Sequence, residues 1–563
     1  MNSRITRRTF VQASCKAASL ASAGIFGTRR LAAQPLLVRS ATASLSPDTL
    51  LSDPTTSSHL RHLATSAIAA ATQAGAGYAD VRCGEQHRLY LSWSNRVELG
   101  VSIESTFTYG IRAMVDGAWA FTHGSEPTAD AVAASARDAV TMAKTYRPFV
   151  VHRGELAPSP VVTGEWATPV KIDPFEVPLR EHHAMLDSYD QLRRRVPQPK
   201  AMLAPGLKCD WTRETRVFAS SDGSLTTQQL RGVYPSIGAA AAYNGAWMTL
   251  ALVPWVAASG GYELLADPTR YETEYLAVAE TVARYLYLPA MIMDVGRYPI
   301  VLDGASTAAL VGNTIGPALE LDRVLGDEAG ASGTSYLSPP LELLGTTIAS
   351  PKLSITATRA LPTACAVQWD DEGVAPHEYP VITEGRLVDY HTTRATAPAL
   401  ASWYATQRQP MRSHGCATVT EASRPVMLRA PHLRMAAGSS ASSVETLYKD
   451  VKEGIFVTGA GKFESDQQFA SGMIVAKNAG DLQNGALLKI ERGKLVGRIV
   501  KNGLELFTKK LWKEQLMALG DERTVQPRDI EISKGMPWRS APHSVSAPAA
   551  FFKDVNVIGF PSQ

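Results

Sequence analysis

Cysteine is scarce in this 563-residue chain: Cys15, Cys83, Cys209, Cys365 and Cys416 are widely spaced, with no CxxC pair. Such spacing marks neither a disulfide framework nor a zinc cage, and the thiols read as free and buried. Long apolar runs are missing too. No stretch approaches the ~18–20 consecutive apolar residues of a membrane-spanning helix. The chain has no Walker loop and no GxGxxG. GAGKF (Gly459–Phe463) lacks the spacing of a phosphate loop and the hydroxyl residue needed after Lys462. SDGS and ASGM do not have the nucleophile-elbow form G-x-S-x-G. The formal charge of +3 is concentrated at the start, where residues 1–33 hold Arg4, Arg7, Arg8, Lys16, Arg29 and Arg30 and no acid. Setting those six charges aside leaves a body of −3. A mildly acidic body gives no electrostatic case for nucleic-acid binding.

What is present is globular: 45% hydrophobic and 19% charged residues. At ~100–200 residues per domain the length predicts three or four units rather than one core. Residues 1–33 have the basic front, small-residue middle and LAA ending of an export signal. Thr6-Arg7-Arg8-Thr9-Phe10-Val11 resembles a twin-arginine signal, and the weakly apolar middle with Lys16 suits that route better than the general secretory one. No apolar lipobox precedes Cys15. The expectation is a protein exported by the twin-arginine route to the periplasm or beyond, with no integral membrane segment. Residues 34–58, rich in Ser, Thr and Pro, read as a linker.

The body reads as α+β. HLRHLATSAIAAATQAGAG has helical apolar spacing and ends on Gly75 and Gly77. Alternating strands follow, turning at Asp116-Gly117, a strong hairpin signal. EPTADAVAASARDAVTMAKTY then predicts an amphipathic helix and closes a first α+β domain over 59–147. Residues 148–290 read as a second α+β unit. It has a helix in PLREHHAMLDSYDQLRRRV, a hairpin around Asp222-Gly223 and a helix in YETEYLAVAETVARYLYLPA. Residues 291–563 read as β-rich, with strands turning at Glu384-Gly385 and helices in SVETLYKDVKEGIFVTG and GLELFTKKLWKEQLMALG.

Several stretches share one pattern. GYADVR (Gly77–Arg82), GIRAMVDGAWAF (Gly110–Phe121), FASSDGSLTTQQ (Phe218–Gln229), YPIVLDGASTAALVGNTIGPALELD, DDEGVAPHEYPVITEGRLVDYHTTRATA, VKEGIFVTG and the closing APAAFFKDVNVIG resemble, in order and spacing, the TldD/TldE (PmbA) family of zinc metalloproteases. The resemblance spans about 59–560. It implies α/β N-terminal domains, a β-rich C-terminal domain and a dimer enclosing a chamber. In TldD-type members it implies an H-E-x-x-x-H helix, an acidic pair beyond it and a late Cys-Gly that completes the metal set. TldE-type members lack that motif and pair with TldD in cleaving small or unfolded peptides.

The match puts Gly312 at the first His position, Asn313 at the Glu position and Pro317 at the second His position, with Glu320 and Asp322 as retained motif acids. Gly and Pro offer no metal donor, and an amide does not act as a general base near neutral pH. No cysteine follows Cys416, and EISKGMPWRS stands where the Cys-Gly belongs. The resemblance therefore implies no catalytic and no metal residue in this chain. Zinc is expected in a TldD-like partner that forms a heterodimer with it. A relocated active site using Glu320, Asp322 or His391, and a stand-alone peptide-binding homodimer, are the alternatives. Gly316-Pro317 predicts a helix break and restart, with Glu320 and Asp322 stabilising the new helix end. Asp370, Asp371 and Glu372 form an acidic turn, and with His391 they are the candidate chamber residues. His59 and His62 read as surface residues, and so do His182 and His183. His377, His391 and His414 are the set for a different metal site.

Overall fold

Helix Pro54–Gln73 buries Leu60, Leu63, Ala64, Ala67 and Ala71, and helix Ala129–Tyr146 buries Val132, Ala136, Ala139, Val140 and Ala143. Both sets recur at three- and four-residue intervals, which puts each on one helix face. In this computed structural model, which describes residues 54–94, 97–195, 202–204, 207–236, 238–243, 246–251, 257–459, 463–475, 485–536 and 538–560, the two helices pack together on one face of a sheet. Thr128 caps the second helix by accepting from Ala131 N at 3.3 Å. The export signal, linker residues 34–53 and residues 460–462 lie outside the described residues. The first helix starts at Pro54, so residues 54–58, read above as linker, are helical. Among the described residues no helix is long and apolar enough to cross a membrane.

The fold is α+β. The N-terminal sheet runs in the order Ala258–Ser259, Leu225–Ser236, Leu207–Ser220, Tyr78–Ser94, Val97–Val115, Ala118–Gly124, all antiparallel, with Thr163–Ala167 added parallel to Leu225–Ser236. Strands from 59–147 and from 148–290 thus share one sheet, joined along Tyr78–Ser94 and Leu207–Ser220. The boundary expected at 147/148 does not separate two sheets. Local turn signals cannot report that distant strands pair. Asp116 and Gly117 both take positive φ, 49° and 82°, as a two-residue hairpin requires. At the far end of this sheet, helix Leu179–Arg194 packs Met185, Leu186 and Tyr189 against Trp211 and Val233. His182 lies one helical turn before that stripe and is fully buried, donating through Nε2 to Pro174 O at 2.9 Å. The exposed reading of His182 is corrected by its place on the apolar face, while His183 pairs with Glu98 at 2.9 Å.

Beyond residue 290 two further sheets enclose the main core. A ten-stranded sheet carries Gly296–Leu302 between Glu453–Gly459 and the terminal strand Ala550–Gly559. A six-stranded sheet ends in the hairpin Gln526–Lys534/Arg539–Ala547. Helix Gly304–Thr314 lies in the core that both sheets share, with every residue buried except Asn313. A helix apolar on all sides is what such a position demands. GLELFTKKLWKEQLMALG, read as a helix, is instead strand Asn502–Phe507, a short helical turn through Gln515 and strand Leu516–Leu519. Both strands pair with the terminal strand, and that pairing overrides helix propensity. Cys83, Cys209, Cys365 and Cys416 are free thiols, and all but Cys365 are buried.

Candidate functional site

The site is built around the end of helix Gly304–Thr314. Asp303 caps its start, accepting from Ser306 N at 2.8 Å through one oxygen and from Gly459 N at 2.8 Å through the other. The helix stops at Thr314. The N–H groups of Ile315 and Gly316 both turn back onto Val311 O, and Pro317–Leu319 forms a single 3₁₀ turn. A short helix then runs Leu321–Leu325 and ends on left-handed Gly326. The break predicted at Gly316-Pro317 is therefore present.

Gly312 and Gly316 let the helix lie directly on the hairpin. A Cβ on Gly312 would collide with Ile530 Cγ1, and one on Gly316 would stand 2.8 Å from His543 Cε1. Ile530 and His543 are cross-strand partners, so their side chains leave the hairpin on the same face. His543 Nε2 donates to Gly312 O at 3.3 Å. Asn313 Nδ2 donates back to Ala309 O at 2.7 Å, and Asn313 faces a separate cavity of about 300 Å³ beside Arg323, Phe469 and Trp538.

Asp322 sits in the first turn of Leu321–Leu325 and accepts from Arg323 N at 2.8 Å, whereas Glu320 does not stabilise the helix end as expected. Glu320 holds the cap position of Leu321–Leu325, but its side chain makes no capping bond. Instead both acids close on Lys534. Its ammonium donates to Glu320 Oε2 at 2.8 Å, Asp322 Oδ1 at 2.7 Å and Leu428 O at 2.8 Å, which uses all three of its protons. Glu320 Oε2 also accepts from Arg323 Nε at 2.8 Å, and Oε1 accepts from Ala430 N at 3.0 Å. Lys534 and Arg323 are wholly buried. Burial alone would raise the pKa of Glu320, but Lys534, Arg323 and Arg429 outweigh it and hold the carboxyl well below the usual range. At Asp322 burial, reinforced by the charge of Glu320, outweighs Lys534 and pushes the pKa up. Ion pairs this deep pay a large desolvation cost, which only complete hydrogen bonding offsets.

His391 joins the same corner through its backbone, donating to Leu319 O at 3.0 Å and accepting from Leu321 N at 3.2 Å. Its Nδ1 shares a 2.7 Å hydrogen bond with Tyr379 Oη, and its Nε2 is buried without a partner. Burial lowers its pKa to about 3, so the ring is neutral. Tyr379 stacks on His414 at 3.8 Å between ring centroids. His414 bridges Asp389 Oδ2 at 2.8 Å and His377 Nε2 at 3.0 Å. His377, His391 and His414 are thus brought together, with both nitrogens of His414, Nδ1 of His391 and Nε2 of His377 taken by carboxylate, phenol and imidazole partners.

The acidic turn Asp370–Glu372 is a clamp between the N-terminal sheet and the C-terminal region. Asp370 accepts from the amides of Glu372, Val374 and Ala417 at 2.9–3.0 Å. Burial, then the charge of Glu372, pushes its pKa up to about 7. Asp371 takes Arg216 at 2.7 Å and Val419 N at 2.8 Å. Glu372 takes Arg112 at 3.0 Å and Arg394 N at 2.7 Å. Of the chamber candidates, Asp371 lines a cavity of about 260 Å³ between the N-terminal sheet and the C-terminal region, together with Pro317, Glu320 and His543. His391, Asp370 and Glu372 do not line it. His59 and His62 are exposed.

A zinc site needs imidazole, thiolate or carboxylate donors with free lone pairs at ~2.0–2.3 Å. The side chains at these positions do not fit one. Gly312 and Pro317 carry no donor, Asn313 is turned back onto its own helix, and an ammonium already fills the space between the two acids. Among the described residues no group of three or more His, Cys, Asp and Glu side chains is placed to hold a metal ion. Sequence reasoning missed Lys534, Arg323 and His543. For Lys534 a signal existed: Ile530, Ile532 and Lys534 alternate along one strand, which puts all three on one face.

Comparison with known proteins fits this architecture. The family profile described as PmbA/TldA metallopeptidase C-terminal domain matches residues 295–559, and that of PmbA/TldA metallopeptidase domain 1 matches residues 79–143. TldE from Thermococcus kodakarensis superposes with a TM-score of 0.64 at 15% identity, covering 88% of this chain and 100% of that one. A putative modulator of a DNA gyrase from Thermotoga maritima gives 0.64 at 13%, covering 88% and 99%. One from Bacteroides thetaiotaomicron gives 0.61 at 16%, covering 88% and 98%. No curated protein matches the sequence. The chain belongs to the TldD/TldE (PmbA) family, whose domain descriptions are those of a metallopeptidase.

Proposed function

We propose that this chain is a non-catalytic, TldE-like subunit of a TldD/TldE-type assembly that proteolyses small or unfolded peptides. One observation carries the reading: the corner where the family's motif falls holds Lys534 hydrogen-bonded to both retained acids, beside a Gly312 and a Pro317 that offer no donor. A carboxylate committed to a buried ammonium is a poor general base, because its pKa is depressed and its lone pairs are taken. The same argument disfavours a relocated base at Glu320; Asp322 is tied to the same ammonium through Oδ1, and His391, lowered to about 3 by burial, is a weak base.

In this reading a TldD-like partner carries the zinc, and this chain completes the chamber and holds extended peptide. The cavity between the N-terminal sheet and the C-terminal region offers space for a residue or two. The strand Ala118–Gly124 ends its sheet and offers an edge for strand addition. The twin-arginine-like leader supports an assembly that works outside the cytoplasm. Co-expression with a TldD-like protein carrying an intact H-E-x-x-x-H tests the reading. A stable heterodimer is expected whose peptidase activity survives every substitution at Glu320 that preserves folding, and is abolished by removing the partner's motif. Peptidase activity in the isolated chain would contradict it. A stable homodimer that ignores such a partner would favour the scaffold alternative.

A further inference from the structure

The cavity beside Glu320 has a chemical bias that the peptide-holding role does not by itself require. Four guanidinium groups line it: Arg216, Arg231, Arg359 and Arg429. Arg216 is fully committed, its Nε and Nη2 to Glu214 at 2.7 Å and its Nη1 to Asp371. Arg231 Nε donates to Asp173 at 2.8 Å. The third lining acid, Glu320, is held by Lys534 and Arg323 from outside the cavity wall.

Arg359 is different. It is buried, and its hydrogen bonds run only to neutral carbonyls: Nε to Cys365 O at 3.0 Å, and Nη1 to Gly415 O at 2.8 Å and Ala417 O at 3.2 Å. Those three bonds fix the plane of the fork without neutralising it, and among the described residues Nη2 has no protein partner. Asp370 lies within its field, but the oxygens of Asp370 are taken by backbone amides. Arg429 lies across the same segment, its backbone N–H donating to Cys416 O and its guanidinium donating to Ile532 O. With Nε and Nη1 taken, Nη2 is the nitrogen left to donate, and it can give an anionic oxygen a charge-assisted hydrogen bond from a guanidinium whose plane is already fixed.

We propose that this cavity is a carboxylate pocket in which Arg359 reads the terminal or side-chain carboxylate of a bound peptide. The proposal rests on the peptide-holding reading and narrows it to a substrate class: peptides presenting a carboxylate at the chamber wall.

The test measures binding of one unstructured, fluorescently labelled heptapeptide to the full mature chain in three forms. These are a free C-terminal acid, a C-terminal amide, and an amide carrying one internal Glu. The wild-type chain is expected to bind the acid at least about tenfold more tightly than the plain amide, the scale of one charge-assisted hydrogen-bonded pair. Recovery of affinity by the Glu-containing amide assigns the preference to side chains as well as chain ends. Arg359→Met should erase the acid preference and Arg359→Lys should retain part of it. The acid–amide comparison on the wild-type chain needs no variant, so a misfolded Arg359→Met leaves the test intact. Equal affinity for acid and amide overturns the carboxylate pocket while leaving peptide holding in place. Binding of inorganic phosphate, read as a thermal shift lost in Arg359→Lys, with no binding of any peptide, keeps the anion pocket and overturns the peptide-holding reading. Failure of both peptide and phosphate to bind overturns the pocket.

Discussion

Lys534 Nζ lies 2.7 Å from Asp322 Oδ1, and these two groups, 212 residues apart in the chain, meet where water does not reach. With Glu320 they form a self-contained ion cluster at the end of a helix that, in TldD-type sequences, carries metal ligands. The cation is covalently part of the protein and cannot be chelated away.

Removing that cation should be severe. Lys534→Met leaves Glu320 and Asp322 buried with only Arg323 and Arg429 nearby. The expected loss is about 3–5 kcal/mol of unfolding free energy, the range for breaking one side of a buried pair. The double variant Asp322→Asn, Lys534→Met should recover part of it, since Glu320 is then the one acid left and keeps its 2.8 Å ion pair with Arg323. Denaturant titration of both variants measures this. A loss below about 1 kcal/mol in the single variant would mean that the cluster is solvated.

Restoring the first motif histidine should not restore a metal site. A side chain at position 312 collides with Ile530, so Gly312→His is expected to cost about 1–3 kcal/mol by overpacking. Its zinc content should equal that of the parent. Thermal melting and elemental analysis of the purified variant check both statements.

The helix break at Gly316-Pro317, the hairpins at Asp116-Gly117 and Glu384-Gly385 and the terminal strand were legible because each is a local signal. A fixed φ, a missing N–H or a run of alternating residues is written in a few adjacent positions. His182 could also have been read. It lies three, four and seven residues before Met185, Leu186 and Tyr189, which makes it part of their buried stripe. The ion cluster was not legible as a cluster. Alternation places Lys534 inward, but nothing local says that its partners are Glu320 and Asp322. The shared N-terminal sheet was hidden for the same reason, since strand partners as far apart as Asp80 and Ser220 leave no mark on either strand.

Acid should weaken the fold through its buried imidazoles, opposed by Asp370, whose carboxyl, raised to about 7, favours the folded state as pH falls. Burial lowers His391 to about 3 and His543 and His432 to about 4, against about 6.5 in an unfolded chain. Between those values the unfolded state binds more protons. The stability these neutral rings provide is therefore complete above about pH 6.5 and lost as pH falls toward 4. Each ring should contribute a slope of about 1.4 kcal/mol per pH unit in that window. Denaturant midpoints measured from pH 7.5 to 4.5 test this. His543→Gln, which keeps a donor toward Gly312 O, should remove one ring's share of the slope, and an unchanged slope would contradict the assignment.

The clamp at the acidic turn should hold the two halves together. Arg216→Met strands Glu214 and Asp371 without their shared cation and is expected to cost about 3–5 kcal/mol. Limited proteolysis should then cut near residues 368–374 at protease levels that leave the parent intact. Retained resistance would show that the turn is held by its backbone amides alone.

The most direct measurement is the zinc content of the chain, purified alone and after equilibration with equimolar zinc, alongside peptidase assays with and without chelator. The account predicts substoichiometric zinc, no chelator-sensitive hydrolysis and unchanged stability on chelation. Near-stoichiometric zinc, with peptidase activity that a chelator abolishes, would contradict it.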